Sequence, residues 1–76
     1  MTDHIRTRKA LRDIADVAAF DGLLNTLTIS EQDKQLMRLH YIEHQDFRFI
    51  GDVLGLSEST VRKHHRRILR KVSDRL

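Results

Sequence analysis

Cysteine and proline are both absent from this chain of 76 residues, and only three glycines are present. Without cysteine, disulfides and thiolate-ligated metal sites are excluded. Without proline, and with little strict alternation of apolar and polar residues, an all-helical chain is the economical reading. No apolar run approaches the roughly 20 residues of a membrane span, and no secretory signal or transit peptide is visible. The expectation is a soluble, cytoplasmic protein with no membrane partner. A chain this short makes one small domain that buries only about 60% of the surface its unfolded form exposes. Little room remains for a second site, and no cofactor is expected.

Charge is present but unevenly placed. From Leu54 to Leu76 there are seven Lys/Arg residues (Arg62, Lys63, Arg66, Arg67, Arg70, Lys71 and Arg75) against Glu58 and Asp74, a balance of +5. The segment Met1–Leu27 balances four basic against four acidic residues, and Thr28–Val53 carries three against five. The net charge of +3 therefore comes from the C-terminal segment alone. A segregated positive surface attracts polyphosphate and makes binding salt-dependent. A merely solvated helix face is the alternative, but this basic segment coincides with a pattern that gives it a use.

That pattern runs from Phe47 to Val72, FRFIGDVLGLSESTVRKHHRRILRKV, which reads as a helix, a tight turn and a basic helix. Ile50, Val53 and Leu54 are spaced as the apolar face of a short helix, and Gly55 supplies the permissive backbone at its sharp stop. Leu56 can drop into the core behind the turn. Ser57 is an N-cap whose hydroxyl can accept the free N–H groups of the next turn, and Val61, Ile68 and Val72 form that helix's buried stripe. His64 or His65 flanks the stripe. The remaining face is left for cations, as in a helix-turn-helix that reads DNA.

Four helices are expected in a compact domain. The first spans about His4 to Leu24, where Leu11, Ile14, Ala15 and Ala18 recur at helical spacing and Asp21-Gly22 marks a stop or bend. Ala10, Val17, Phe20 and Leu24 form a second stripe on it, which leaves two alternatives: a surface for a homodimer or another protein, or packing within the monomer. Residues 1–26 are accordingly set apart as an N-terminal interaction or oligomerisation segment, and 27–76 as the DNA-binding domain. Ser30 caps the second helix, with Glu31 and Asp33 favouring the positive end of its dipole. Leu36, Leu39 and Tyr41 or Ile42 form its buried side, and Gln45-Asp46 breaks it. The third helix runs from about Phe47 to Leu54 and the fourth from about Glu58 to Arg75.

The histidines suggest a different chemistry. His40-Tyr41-Ile42-Glu43-His44 satisfies His-x-x-Glu-His, which on a helix places two imidazoles one turn apart beside a carboxylate, the inverted zinc-protease signature. A catalytic zinc also needs a third protein ligand and a substrate cleft, and the sequence gives context for neither. Adjacent His64 and His65 point about 100° apart on a helix, which is poor for chelating one ion. The chain is expected not to be an enzyme and to hold no metal.

The segment Leu27–Val72 resembles region 4 of bacterial sigma factors of the sigma-70 type, with the LuxR-type DNA-binding domain as a close relative. The residues that carry the resemblance are Leu27-Thr28, Leu36, Leu39, Tyr41, Ile50, Leu54-Gly55, Ser57, Thr60-Val61, Ile68 and Lys71-Val72. The support helix departs from the pattern at Arg48-Phe49 and Gly51-Asp52. Nothing in the chain resembles the sigma regions that melt promoter DNA and grip the polymerase core. The resemblance implies an excised domain or a free-standing small regulator of bacterial or phage type, which reads a promoter element and contacts RNA polymerase. Docking on polymerase or another partner, and DNA recognition for a packaging or recombination machine, are the alternatives.

Helical geometry assigns the side chains of the reader helix. Near its N-terminal end the outward residues are Glu58, Ser59, Arg62 and Lys63, followed by Arg66, and these are the base-edge candidates. Arg62 or Lys63 can donate to O6 and N7 of guanine, Glu58 can accept from a cytosine amine, and Ser59 can read either partner. Arg67, Arg70 and Lys71 are assigned to phosphates, with Ser57 and the helix N-terminus adding donors. Thr60 completes the candidate DNA-binding set. The resemblance implies the same use, since these positions match those with which sigma region 4 reads double-stranded DNA.

Overall fold

Val61, Ile68 and Val72 fall on one side of a helix by their spacing, and the computed structural model, which describes residues 4–14 and 16–75, buries all three completely. Five α-helices and one π-helical turn are found among the described residues: α1 His4–Arg12, α2 Val17–Asn25, α3 Glu31–Met37 continued by the π turn Arg38–Ile42, α4 Phe47–Leu54 and α5 Glu58–Ser73. The fold class is all-α, as expected. At 1.5 Å per residue α5 is about 24 Å long, and it runs through most of a domain whose largest extent is 30 Å. Helices α1, α3 and α4 all pack against it.

The expected first helix is two helices, which is why the domain has five rather than four. Helix α1 stops at Arg12, and Asp16, with extended backbone angles and its carboxylate accepting the Ala18 N–H at 3.0 Å, caps the next helix. Ala15, a member of the expected stripe, lies outside the described residues. The stop expected at Asp21-Gly22 is not there, because both residues lie inside α2. Asp21 instead accepts from Arg38 Nε at 2.7 Å, which ties α2 to the π turn. The helix ends at Thr26, whose N–H and hydroxyl both reach the Leu23 carbonyl.

One core unites the chain. Leu11 of α1, Phe20 and Leu24 of α2, Leu36 and Met37 of α3, Ile50 of α4 and Val61, Ile68, Leu69 and Val72 of α5 are all buried in a single cluster. Of the alternatives for the stripe of Val17, Phe20 and Leu24, packing in the monomer holds for Phe20 and Leu24. Both are fully enclosed, and Val17 is left half exposed. A second correction concerns α4. Val53, expected on its buried face, is exposed, and Gly51 takes that place.

Gly51 is where α4 meets the backbone of the turn. A Cβ built there would stand 2.5 Å from the Leu56 carbonyl oxygen, nearer than any side chain tolerates. The close approach is set by the turn, in which the Leu56 N–H donates to the Gly51 carbonyl at 2.8 Å. Gly55 makes that turn possible with φ of 73°, in the left-handed region that favours glycine.

Candidate nucleic-acid interface

Caps fix where the reader helix begins. Ser57 has extended backbone angles, and its hydroxyl oxygen accepts the Thr60 N–H at 3.2 Å. The same hydroxyl donates to Thr60 Oγ1 at 2.8 Å and lies 3.2 Å from Ser59 Oγ. The three hydroxyls thus form one cluster at the helix N-terminus, with free N–H groups beside them. Asp46 does the same for α4 by accepting the Phe49 N–H at 2.8 Å. Ile50 and Val61 are buried in the same core, and the close approach of Leu56 at Gly51 fixes the turn between the two helices.

Two rows with identical spacing divide α5. Val61, His65, Ile68 and Val72 point inward and are buried. Ser59, Lys63, Arg66 and Arg70 repeat the same steps of four, three and four residues on the opposite side, and all four are exposed. Among the described residues, the side chains of Lys63, Arg66 and Arg70 have no ion pair or hydrogen bond. Their charges are therefore available to an outside anion.

The flanks of α5 are engaged internally. On one side Glu58 and Arg62 form an i,i+4 ion pair, and the Arg62 guanidinium stands 5.2 Å from the centre of the Phe47 ring. The pair and the ring hold Arg62 in an extended pose next to the outer row. On the other side Arg67 donates to Asp33 Oδ2 at 2.9 Å, Lys71 Nζ to the Thr28 carbonyl at 2.6 Å, and Arg75 to the Thr26 carbonyl at 2.7 Å. These contacts strap α5 to α3 and to the loop before it. The structure thus brings Ser59, Lys63, Arg66 and Arg70 onto the outer face, sets Glu58 and Arg62 along one flank beside it, places Thr60 with Arg67 and Lys71 on the α3 edge, and leaves Ser57 at the N-terminal end.

Asp33 has a role that the sequence alone did not indicate. Besides sitting in the first turn of α3 it is buried, and its two oxygens face Arg67 and, at 3.6 Å, His64 Nδ1. The inner support of the reader helix likewise has no signature in the sequence. His65 is buried and its Nε2 lies 2.7 Å from the Tyr41 hydroxyl, while His40 stacks on Phe47 with ring centres 4.5 Å apart. Burial, helped by the charges of His40, Arg8, His4 and Arg12, lowers the His65 imidazole to about 3. Burial likewise raises the Tyr41 phenol, so a neutral phenol and a neutral imidazole share this hydrogen bond.

The zinc-like pentapeptide does not form a regular α-helix. His40 has its ring in this stack and its Nδ1 at 2.9 Å from the Gln45 carbonyl. His44 has a left-handed backbone beyond the end of the π turn, so the two imidazoles do not share a regular α-helical face. No helix among the described residues is long and apolar enough to cross a membrane.

The helix-turn-helix with a cationic outer row agrees with what is found among known proteins. Residues 24–74 match the family Sigma-70, region 4, while no curated protein and no solved structure matches the chain. The match begins in α2, takes in α3, the π turn, α4 and α5, and leaves α1 outside. With two-thirds of its length so matched, the chain belongs to the Sigma-70, region 4 family of DNA-binding helix-turn-helix domains related to sigma factors.

Proposed function

We propose that this protein is a sequence-specific DNA-binding regulator of transcription, which reads a promoter element as one copy and acts beside RNA polymerase in the cytoplasm. The observation that carries the reading is the outer row of α5. Lys63, Arg66 and Arg70 are exposed, repeat along one face and lack side-chain partners among the described residues, on the second helix of a helix-turn-helix. A row of this length can lie in a major groove, with Glu58, Ser59, Arg62 and Lys63 nearest the bases and Arg66 and Arg70 toward the phosphates. Burial of Phe20 and Leu24 favours a single copy, since it removes the apolar stripe that a symmetric dimer would have used. The chain's part in this scheme is binding, with no bond made or broken.

Fluorescence anisotropy of a labelled duplex, titrated at several salt concentrations, tests the reading. Each phosphate contact contributes a slope of about −0.9 to the plot of log affinity against log salt. A handful of contacts predicts a steep loss of binding toward physiological salt. Binding indifferent to salt, or none even at low ionic strength, contradicts the proposal.

A further inference from the structure

Helix α1 lies outside the matched family region, yet it packs along α5 beside the cationic row. Between them is an open pocket of about 220 Å³, with Phe47 and Leu69 as its apolar wall and Arg8, Arg62 and Arg66 bringing three guanidinium groups to it. No lining residue is acidic, and of the three arginines only Arg62 has a carboxylate partner among the described residues. Arg8 comes from α1, and its Nε is buried without a hydrogen-bond partner among the described residues. A buried donor left in this way calls for a partner, and a water or a bound anion can supply it.

We propose that this pocket is a binding site for a phosphate group, held by Arg8 of α1 together with Arg62 and Arg66 of α5. Planar guanidinium groups present paired N–H donors that match the oxygens of a phosphate, and three of them with the single carboxylate of Glu58 paired among them keep an excess of positive charge that favours a dianion or a bridging diester. The neighbouring His65 stays neutral by burial and by the same positive surroundings, so the charge of the site belongs to the arginines and needs no added proton. At about 30 Å³ for each water, the pocket holds on the order of seven, enough for a phosphate group and its remaining shell. The phosphate can come from the backbone of DNA read by α5, which rests on the function proposed above, or from free phosphate.

The test compares the wild-type protein with Arg8→Gln, first in inorganic phosphate and then with duplex DNA. Phosphate stabilises folded proteins in general by exclusion from their surfaces, so the reading is the difference between the two proteins at matched ionic strength. Phosphate is expected to raise the melting temperature of the wild type more than that of Arg8→Gln. If the source is DNA, Arg8→Gln weakens all duplexes alike, lowers the salt slope by about 0.9, and free phosphate competes with duplex. If the source is free phosphate, the melting difference remains and duplex affinity is unchanged by the substitution. Should Arg8→Gln not fold, as judged by circular dichroism, Arg66→Gln replaces it, because Arg66 is exposed and has no partner to lose. Equal phosphate shifts in wild type and variant, with duplex binding also unaltered, overturn the site. A wild type that binds no duplex at all removes the proposed function, and the phosphate melts still decide the pocket.

Discussion

Acidification is expected to unfold this domain by charging a histidine that the fold keeps neutral. His65 is buried beside Tyr41, and burial lowers its imidazole from 6.5 to about 3. Its folded value lies below its unfolded one, so the stability it contributes is complete above 6.5 and is lost as the pH falls toward 3. Between about pH 7 and about pH 5 the unfolded chain takes up nearly one proton that the folded chain refuses, and at about 1.4 kcal/mol per pH unit this removes about 2 kcal/mol. His40, lowered chiefly by its own burial, acts in the same direction. A domain of this length has about 4–11 kcal/mol in all, so the loss is a substantial share of its stability. Urea midpoints measured across this pH range read the effect, provided the slope of the transition stays constant. His65→Gln removes one titrating group and is expected to flatten the dependence. Stability that does not change between neutral and mildly acidic pH, or that falls just as steeply in His65→Gln, would refute the reasoning.

Gly51→Ala is expected to cost about 1–3 kcal/mol by overpacking against the Leu56 carbonyl, and Gly55→Val a similar amount through its left-handed backbone; thermal melts by circular dichroism compare both with the parent. Lys63→Ala is expected to reduce discrimination between duplexes by about 1–3 kcal/mol, whereas Arg70→Ala weakens all sequences about equally. Competition of specific against random duplex separates these roles, and equal losses for both variants would contradict the assignment. Phe20→Glu is expected to unfold the monomer, since it places an unpaired carboxylate at a fully buried position. A folded Phe20→Glu variant with the circular dichroism of the parent would show that α2 is not part of the core.

Local chemistry announced the helix-turn-helix. Ser57 and Ser30 cap as their residue types suggest, Gly55 takes the left-handed angles, and the stripe of Val61, Ile68 and Val72 is buried. The break between α1 and α2 was hidden, because apolar residues keep a helical spacing across Asp13–Asp16 and periodicity cannot see a cap within it. The buried side of α4 was misassigned for a related reason. A hydrophobic pattern counts Val53 and ignores Gly51, yet the glycine is buried because another backbone passes so near. The partners of Arg67, Lys71 and Arg75 lie 34, 43 and 49 residues away, and those of His65 lie across the core in Tyr41. Such pairings follow from the packing of helices and have no spacing rule. Knowing them separates the cations that hold α5 in place from Lys63, Arg66 and Arg70, which face outward.

Whether that outward row reads DNA is best tested by selecting bound duplexes from a random pool with the purified protein and with Lys63→Ala. The wild type is expected to enrich one asymmetric element, and Lys63→Ala to lose preference at one position within it while keeping the rest. No enrichment by the wild type, or the same element with undiminished preference from Lys63→Ala, would contradict the assignment of α5 as the reading helix.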